Sequence, residues 1–561
     1  MQQLPESTDV LVVGAGPTGS TLGAYLAHQG VNVTIIDKKE RAEVHSKAGN
    51  LWPRTLEMLG GMVPGSLERI LPKSSALKTL SIYAYGKHIL DVPNDQYESP
   101  YPAAVLNGQD VIEGALWELL ENINCPVFYE TNFLAAQPQS DHVAVEVDHR
   151  GSRRTLRARY VVGCDSGNSA VRKAAGLTIE PETLAGIHFL LMDATLRWNR
   201  TTDRNRMWMF FYDNGYYGIA PCWGGHHHLW SFELVDQPLR RDPTVQEMTD
   251  RLKDLTGDPS ITLSNVVWKS HITEPRTGVA PHLQAGHFFL AGDAGHIALP
   301  VGGKGMNTGV QDALALGWRL AAVVNGQAKE SLLNTYNEER LAVRQELKKF
   351  QLKGMYDLVD PGTMQKLGMK FLAPLLTKTI GATGTAEFQG QKDPAMLKLS
   401  YPEGTLVTDE LSQSGIKAGS RAPDATLALP GGEGVQLHSL FYGSGQWTAL
   451  LFDGKGDYEV VKKALHLQQS LQFLPYVRAY AVIGGAYIQR ESSTSAHSDK
   501  QAMPLLYDLD HFAHNAFDLS APALVLVRPD GYIGYRGPLQ DEGIRQFLDR
   551  VMLHASPQNG R

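Results

Sequence analysis

Apolar runs interrupted by glycine begin the chain and predict a strand, a tight turn and a helix. The run from Asp9 to Val13 ends at a glycine cluster, and the stretch from Ser20 to Gln29 has apolar residues at helical spacing. After Gly30, positions Val31 to Ile36 alternate and are rich in β-branched residues, which is typical of a strand. The N-terminal pattern therefore predicts a strand–helix–strand unit.

The middle of the chain follows a different pattern. From about Ile179 to His271, apolar and polar positions alternate and aromatic residues are frequent, which predicts an antiparallel sheet. Its clearest strands are Met207 to Tyr212, Tyr216 to Ala220 and His228 to Leu234. On either side of this region we predict helices at Gln109 to Asn122 and Gly309 to Asn325, and strands at Leu156 to Val162 and Phe288 to Ala291.

The C-terminal part again mixes strands and helices. Its composition changes at Ala418 to Pro423, after a stretch punctuated by proline and glycine. We predict strands at Trp447 to Phe452, Val477 to Ile483 and Ala523 to Val527, and helices at Tyr458 to Gln469 and Asp541 to Leu553. This order predicts a separate α/β domain.

Three glycines after the first strand form the pattern G-x-G-x-x-G: Gly14, Gly16 and Gly19. The first permits the turn, the second lets a pyrophosphate approach the backbone, and the third lets helix and strand pack closely. Asp37, at the end of the next strand, is placed to accept hydrogen bonds from a ribose. The combination predicts a bound dinucleotide, and NAD and FAD both fit this pattern.

These elements predict an α/β and α+β fold, in which a Rossmann-type nucleotide domain carries an inserted antiparallel-sheet domain for substrate. The predicted divisions are residues 1–178 and 276–360 for the nucleotide domain, 179–275 for the inserted sheet, 361–417 for a linker and helical region, and 418–561 for the C-terminal domain.

Composition excludes several classes of partner. Of 561 residues, 43% are hydrophobic, and the formal net charge of −7 lacks the basic excess of nucleic-acid-binding proteins. No run of about 18 apolar residues predicts a membrane span, and the N-terminus has no signal-peptide pattern. The three cysteines form no CxxC pair. We therefore expect a cytoplasmic protein with no nucleic-acid or membrane partner.

A second motif decides between the dinucleotides. The segment LAGDAGHIALPVGGKGMNTG, from Leu290 to Gly309, joins an apolar strand to a glycine-rich loop and a long helix. Asp293 can accept from a ribityl hydroxyl, and helix amides near Met306 and Asn307 supply partial positive charge where a reduced flavin is negative. The motif therefore favours FAD.

On these residues the chain resembles the single-component flavoprotein aromatic hydroxylases with the para-hydroxybenzoate hydroxylase fold. The resemblance also includes an R-T-L-E segment, a Q-x-x-x-E helix and a motif implicated in FAD and NAD(P)H contacts, carried respectively by Arg54 to Glu57, by Gln109 with Glu113, and by Gly163, Cys164, Asp165, Ser169, Val171 and Arg172. Ser166 stands where the family usually has glycine. The segment LVLVRPDGYIGYRG, from Leu524 to Gly537, resembles the thioredoxin-like domain of larger members.

The resemblance implies an FAD-dependent monooxygenase that hydroxylates a phenolic or polycyclic aromatic substrate with NAD(P)H and O2, through a C4a-hydroperoxyflavin. NAD(P)H is implied as a transient co-substrate and a homodimer as the assembly. Pro300 is implied to line the oxygen side of the flavin. The residues implied to bind FAD are Gly14, Gly16, Gly19, Asp37, Lys38, Lys47, Gln109, Asp165, Asp293, Gly303, Gly305, Met306 and Asn307.

Substrate-activating residues are sought in the aromatic-rich region, because flat apolar walls suit a phenolic ring. We take Tyr216, Tyr217 and His226 as candidates for activating the phenol. His226 and His228 share a face of a strand, since alternate residues point the same way. The run His226 to His228 has no supporting ligand spacing, and we expect no metal site.

Two alternatives remain open at this stage. The same flavin chemistry serves Baeyer–Villiger oxygenation of a polyketide ketone, or a reduction, and fold alone does not choose between these reactions. A non-catalytic flavin-binding or assembly protein, relying on its C-terminal domain, is the alternative from a different class.

Overall fold

The computed structural model describes residues 3–41, 49–200, 203–235, 242–359, 393–411, 415–454, 458–484 and 505–553. Within residues 3–178 the strands are β1 Ser7–Val13, β2 Val33–Ile36, β3 Asn50–Leu51, β4 Ser75–Ala76, β5 Thr79–Ala84, β6 Lys87–Pro93, β7 Val105–Leu106, β8 Val127–Phe128, β9 Thr131–Pro138, β10 Val143–His149 and β11 Ser152–Gly163. The helices there are α1 Pro17–His28, α2 Pro53–Met62, α3 Ser66–Ile70, α4 Gln109–Asn122 and α5 Ala170–Ala174.

Within residues 179–359 the strands are β12 Glu182–Thr183, β13 Ile187–Arg197, β14 Arg206–Tyr212, β15 Gly215–Pro221, β16 His227–Leu234, β17 Thr262–Thr273, β18 Arg276–Val279, β19 Gln284–Ala285, β20 Phe288–Leu290 and β21 His296–Ile297. The helices are α6 Val245–Thr256, α7 Gly305–Val324 and α8 Ser331–Val359.

From residue 393 onward the strands are β22 Thr408–Asp409, β23 Thr426–Ala428, β24 Gly434–Gln436, β25 Trp447–Phe452, β26 Val477–Gly484, β27 Leu505–Asp508, β28 Ala523–Val527 and β29 Ile533–Gly537. The helices of this part are α9 Leu437–Phe441, α10 Tyr458–Leu471, α11 Phe512–Ala516 and α12 Asp541–Leu548.

The nucleotide domain is built on a parallel sheet. Strands β8, β2, β1, β11 and β20 lie side by side in that order, and each adjacent pair is parallel. Helices α1 and α7 pack against each other beside this sheet. In such sheets ligands bind at the carboxyl ends of the strands, and β1 ends at Val13, immediately before the first glycine motif. The predicted Rossmann-type organisation is confirmed.

The second sheet has the order β17-β13-β16-β15-β14-β5-β6. Its pairs are antiparallel except for β14 with β5, which run parallel, so the sheet is mixed and not purely antiparallel as predicted. Strands β5 and β6 come from residues 79–93, which the sequence analysis placed in the nucleotide domain. The parallel pairing of β5 with β14 joins segments that are more than 100 residues apart. A local alternation pattern does not predict such a pairing.

The C-terminal sheet has the order β22-β29-β28-β25-β26-β27-β23-β24. Strands β25, β26 and β27 are parallel, whereas β28 and β29 continue the sheet in antiparallel fashion. Strand β22 lies in the segment predicted as a linker, and it pairs with β29. Residues 361–392 and 412–414 of that predicted linker lie outside the described residues. The thioredoxin-like assignment of the C-terminal domain stays a prediction.

Buried charges join the C-terminal domain to the nucleotide domain. Arg528 contacts Glu339 of α8 through Nη1 and Nη2, at 2.5 and 2.9 Å, and Asp530 at 2.6 Å. The indole of Trp318 on α7 donates to Asp530 at 3.0 Å. Burial alone would raise the pKa of Asp530, but Arg528, Arg319 and Arg54 together lower it. The R-P-D-G-Y segment therefore docks the C-terminal domain on α7 and α8.

The R-T-L-E segment at the start of α2 belongs to the same interface. Arg54 donates to the backbone oxygen of Asp530 at 2.7 Å and to the Tyr442 hydroxyl at 2.9 Å. Glu57 pairs with Arg54 at 3.0 Å and with Arg421 at 2.6 Å. Two motifs far apart in sequence thus meet in one polar network between the domains.

A buried histidine in the C-terminal domain predicts a pH-dependent stability. His514 has Asp508 at 2.7 Å from Nδ1 and Asp453 at 3.1 Å from Nε2. Burial alone would lower the pKa of His514, but the two carboxylates outweigh burial and raise it to about 9. Because the folded-state pKa exceeds the unfolded one, this stabilisation is complete below about pH 6.5 and is lost as the pH rises through about 9.

We therefore expect His514→Gln to lower the free energy of unfolding at acidic pH by on the order of 2 kcal/mol. The cost should disappear above about pH 9, because the wild-type imidazole is then neutral. Thermal unfolding followed by circular dichroism at both ends of this range measures the difference. An equal loss of stability at both pH values would contradict the ion-pair explanation.

Candidate functional site

A cavity of about 630 Å³ lies between the nucleotide domain and one face of the second sheet. Its nucleotide end is lined by residues of both glycine motifs, and its other end is lined by apolar side chains of the sheet. Of the predicted cofactor and oxygen-side residues, the following line it: Gly14, Gly16, Asp37, Lys38, Gln109, Asp165, Asp293, Pro300, Gly303, Gly305 and Met306. Lys47 lies outside the described residues.

The three glycines of the first motif differ in what a side chain at each position would contact. Gly14 has a φ of 102°, and a Cβ there would lie 2.4 Å from the backbone oxygen of Cys164. A Cβ on Gly19 would lie 1.8 Å from the oxygen of Gly14, so Gly19 does not line the cavity but lets α1 pack on the turn. A Cβ on Gly16 would meet only Glu113 Oε1, at 3.9 Å, and would otherwise project into open space. Gly16 thus leaves a cradle that suits a pyrophosphate.

Asp37 is held in a fixed orientation at the end of β2. Its Oδ2 accepts from the backbone N–H of Ala15 at 2.7 Å, and its Oδ1 accepts from that of Lys39 at 2.9 Å. The carboxylate therefore links the glycine turn to the end of β2, and Asp37 lines the same cavity as Gly14 and Gly16. This is the position from which an acid accepts hydrogen bonds from ribose hydroxyls.

Helices α1 and α7 begin at the cavity and have uncapped N-termini. The N-cap residues are Gly16 for α1 and Lys304 for α7, and neither helix has a side-chain cap or an acidic residue in its first turn. Their partial positive charge is thus not offset by a side chain of the first turn and is available to an anion. Gly303, just before α7, has a φ of 61°, and a Cβ there would lie 2.1 Å from Asn50 Oδ1.

Asn307 does not line the cavity, and its side chain has another role. Its Oδ1 accepts from the backbone N–H of Trp52 at 2.8 Å, and its Nδ2 donates to Asn50 at 3.0 Å and to Gly303 at 2.8 Å. All three contacts are with backbone. The side chain of Asn307 therefore fastens β3 to the start of α7, and the contact of FAD with the helix amides near Met306 and Asn307 stays a prediction.

Asp165 combines a structural contact with a free acceptor. Its Oδ2 accepts from the backbone N–H of Ala170 at 2.6 Å and of Val171 at 3.2 Å, at the start of α5. Its Oδ1 is buried and has no hydrogen-bond partner among the described residues. The next residue, Ser166, has a φ of 72°, the left-handed region that favours glycine. An unpaired buried carboxylate oxygen at the cavity fits a hydroxyl of a bound cofactor.

Burial lowers the pKa of two basic side chains beside the second motif. Burial lowers the pKa of His296 to about 3, and Nδ1 accepts from Arg344 Nη1 at 2.6 Å. Burial also lowers the pKa of Lys304 to about 8, while its Nζ donates to the backbone oxygen of Asp393 at 3.1 Å. Neither side chain lines the cavity.

The substrate end of the cavity is one face of the second sheet. Alternate residues of β13, β14, β15 and β16 point into it, and with residues from β5 and β6 they form apolar walls: Leu80, Val92, Phe189, Leu191, Met207, Met209, Tyr216, Ala220 and Trp230. The absence of a side chain at Gly218 leaves room for the indole of Trp230, because a Cβ there would lie 2.0 Å from the indole. The indole thus lies directly against β15.

The three predicted substrate-activating residues have different positions. Tyr216 lines the cavity, and burial raises its pKa well above the ordinary value, so it is a neutral hydroxyl. Tyr217 points to the opposite face and packs among Leu190, Phe210 and Ile219. His226 lies before β16, with Nδ1 3.5 Å from Thr195 Oγ1, and does not line the cavity. Tyr217 and His226 are therefore removed as candidates.

A histidine–aspartate pair that the sequence does not predict lies at this wall. His228 lines the cavity, and its Nδ1 lies 2.6 Å from Asp193 Oδ1. Both residues are buried. The alternation along β16 places His228 on the face that also carries Trp230, but nothing in the local pattern indicates that a carboxylate 35 residues earlier is its partner.

Among the described residues, one cluster has metal-ligand chemistry: Asp508, His511 and His514 in the C-terminal domain. Both nitrogens of His514 already face carboxylates, and the raised pKa of this group favours the protonated imidazolium, which cannot ligate a metal. The expectation of no metal site stays a prediction. No helix in the described part of the chain combines the length and the apolarity that crossing a bilayer requires.

The Gly16 cradle, the unpaired oxygen of Asp165 and the two uncapped helix ends together fit a dinucleotide with its pyrophosphate at α1. A family model described as an FAD binding domain matches residues 7–351. The chain belongs to this FAD-binding family. Its predicted cofactor, FAD, is confirmed, and Gly14, Gly16, Asp37, Asp165 and Asp293 line the cavity that fits it.

Members and relatives of the family extend the similarity over the whole chain. A flavin-dependent monooxygenase of Mycobacteroides abscessus is 28% identical over 97% of this chain and 100% of its own length. The 6-methylpretetramide 4-monooxygenase of Streptomyces rimosus is 25% identical over 99% of this chain and 95% of its own. The solved structure of CabE, an aromatic hydroxylase from angucycline biosynthesis, has a TM-score of 0.67 at 27% identity and covers 97% of this chain and 98% of its own.

These similarities confirm the predicted enzyme class, a flavin-dependent monooxygenase on the aromatic hydroxylase fold. The alternative of a non-catalytic flavin-binding protein is set aside. The individual roles of the site residues remain proposals, which the following variants test.

We expect Gly16→Val to weaken FAD binding about 100-fold, equivalent to about 2.8 kcal/mol, because its side chain fills the cradle. Only Glu113 Oε1 lies within 4 Å of a Cβ at this position, so the melting temperature of the apoprotein should not change. Titration of the apoprotein with FAD, followed by flavin fluorescence, measures the affinity.

The matched control is Gly114→Ala, since a Cβ on this α4 residue meets nothing within 4 Å. This variant should bind FAD as the wild type does. Unchanged FAD affinity in Gly16→Val would show that the cofactor does not pass over this glycine.

Proposed function

We propose that the protein hydroxylates a phenolic ring of a multi-ring aromatic substrate, with NAD(P)H as the reductant and O2 as the oxygen source. The observation that carries this proposal is the single cavity that joins the two FAD motifs to a flat apolar face of the second sheet. The names of the relatives support it, since one acts on 6-methylpretetramide and CabE is an aromatic hydroxylase.

The apolar walls favour a broad, planar ligand. Met207, Met209 and Leu191 offer flexible or branched apolar side chains, and Trp230 presents an indole. Aromatic ligands gain from burial against such surfaces and from ring contacts of about 0.5–1.5 kcal/mol each. Polar side chains are few at this end of the cavity, so we propose that shape and apolar contact select the ring system.

Bound FAD, once reduced by NAD(P)H, supplies the activation of O2 and the transfer of one oxygen atom to the ring. The chain has three tasks around this chemistry. Its glycine loops and uncapped helix ends hold the cofactor, its sheet wall orients the substrate ring, and its apolar lining excludes water. Pro300 and Met306 of the second motif line the cavity, as does the face of the second sheet. We propose that the reacting carbon is held between these two sides.

Several broader expectations remain proposals alongside this function. We propose a cytoplasmic homodimer with no nucleic-acid or membrane partner, and a thioredoxin-like C-terminal domain without a redox role. No cysteine follows Cys222 in the sequence, so thiol–disulfide exchange by that domain has no chemical basis.

The function predicts that a polycyclic phenol accelerates NAD(P)H oxidation by the FAD-loaded protein. We expect one oxygen atom to be added to the ligand, with the ring system intact. Absorbance of NAD(P)H and mass spectrometry of the product measure the two effects, and NMR of the product separates hydroxylation from Baeyer–Villiger ring insertion. A panel of such phenols that leaves the oxidation rate unchanged would contradict the proposal.

A wall variant tests where the ligand lies. Gly218→Ala places a Cβ where the Trp230 indole now lies, so the indole must move into the cavity. We expect the KM of the accelerating ligand to rise about tenfold, or about 1.4 kcal/mol, with FAD affinity unchanged. An unchanged KM would place the ligand elsewhere.

A further inference from the structure

We propose that His228 is the base that removes the phenolic proton of the substrate and that Asp193 positions it. This inference rests on the function proposed above, and it adds a catalytic residue to the sheet wall of the cavity.

The position of His228 suits this role. The residue lines the cavity, and a Cβ on Gly49 would lie 3.2 Å from its Cδ2 and 3.8 Å from its Nε2. Gly49 is followed by Asn50, whose side chain borders Gly303 of the second motif. The imidazole therefore lies where the apolar wall approaches the glycine loop of the cofactor site, and a ring held between them has its edge beside this imidazole.

The partner of His228 determines which nitrogen is basic. The Nδ1 atom lies 2.6 Å from Asp193 Oδ1, and the two residues are directly opposite each other on β16 and β13. A carboxylate accepts the Nδ1 proton, so the neutral imidazole has its lone pair on Nε2. Both residues are buried, which keeps water from competing for this hydrogen bond.

The strand pairing beside Asp193 is irregular. Between Asp193 and Thr195 the register of β13 with β17 shifts, and Asn265 on the partner strand has a φ of 47°. Bulges of this kind redirect side chains and are frequent next to active sites. The irregularity coincides with the residue that orients the imidazole.

Other titratable groups around the pair do not replace it. Burial raises the pKa of the Cys222 thiol, and the carboxylates of Asp193 and Asp110 act in the same direction, so the thiol is neutral. Burial raises the pKa of Asp110, and Asp193 raises it further, while His226 lowers it. Of the described residues that line the sheet end of the cavity, His228 is the basic one, since Tyr216 is a neutral hydroxyl; Lys38 and Lys39 line the nucleotide end, beside Asp37.

The step itself balances as a proton transfer. The O–H bond of the phenol breaks, its electron pair stays on oxygen, and the proton forms an N–H bond at Nε2 of His228. The resulting imidazolium is stabilised by Asp193. The ring of the resulting phenolate is more electron-rich than that of the neutral phenol. Substrate is neither oxidised nor reduced in this step.

The experiment uses alizarin, a dihydroxyanthraquinone whose visible absorption moves, on ionisation, to wavelengths longer than those of oxidised flavin. The FAD-loaded protein is titrated with alizarin over a range of pH without reductant. In the wild type we expect bound alizarin to ionise at a lower pH than free alizarin, because its proton moves to His228.

Two variants separate the roles. His228→Asn retains a donor toward Asp193 but has no basic nitrogen, so bound alizarin should ionise no more readily than free alizarin. Asp193→Asn removes the carboxylate charge that stabilises the imidazolium and should shift the titration in the same direction. With NAD(P)H and a ligand that is turned over, we expect kcat to fall about 100-fold in His228→Asn, the usual range for a lost general base, while KM changes little.

The matched control is His142→Gln. His142 also pairs with a carboxylate, with Nδ1 2.7 Å from Asp141 Oδ1, but it lies in the turn between β9 and β10, away from the cavity. This variant should titrate alizarin as the wild type does.

The outcomes distinguish the two levels of proposal. Early ionisation of alizarin in the wild type and its loss in His228→Asn would support the base, even before a physiological substrate is known. Equal ionisation in wild type and His228→Asn would overturn the assignment of His228 while leaving the proposed hydroxylase intact. No spectral change and no accelerated NAD(P)H oxidation with any phenol would overturn both.

Discussion

Asp312, in the middle of helix α7, is the buried charge on which the cofactor side of the molecule depends. It is fully buried, and it is satisfied by Arg340 and Arg344 of α8 and by the backbone N–H of Gly292. Removing one partner of such a group typically costs about 3–5 kcal/mol. The same contacts fasten the turn that carries Asp293, so the packing of α8 on α7 and the geometry of the second FAD motif follow from one carboxylate.

The buried charges continue from this point into the C-terminal domain. Glu339 lies between Arg319 of α7 and Arg528, with contacts of 2.5 Å to each. Among the described residues, none beyond Pro394 lines the cavity. The C-terminal domain thus contributes no side chain to the site, and its contribution is to hold α2, α7 and α8, the helices that frame the cofactor. This structural role explains why the R-P-D-G-Y segment of the C-terminal domain contacts the R-T-L-E segment at the start of α2.

Features that depend on neighbouring residues could be predicted from the sequence. Features that depend on contacts between distant segments could not. Gly14 has a positive φ and Gly19 packs on the oxygen of Gly14, so both belong to one short turn. Helix α4 has the predicted bounds because its apolar period lies within one segment. By contrast, the pairing of β5 with β14 joins distant segments, and alternation alone does not tell which of Tyr216 and Tyr217 faces the cavity. The pair of Asp193 and His228 is of the same kind, since neither residue has a motif of its own. The side chain of Asn307 adds another such contact, because it fastens the backbone of β3 to that of the second motif.

A crystal structure of the FAD complex with bound alizarin would test most directly the claim that one cavity holds the cofactor at its glycine motifs and presents a phenol to the sheet wall. We expect the flavin ring beside Gly303 and Met306, the anthraquinone against Trp230, and a hydroxyl oxygen about 3 Å from His228 Nε2. Alizarin bound outside this cavity, or bound in it with its hydroxyl groups turned away from His228, would contradict the account.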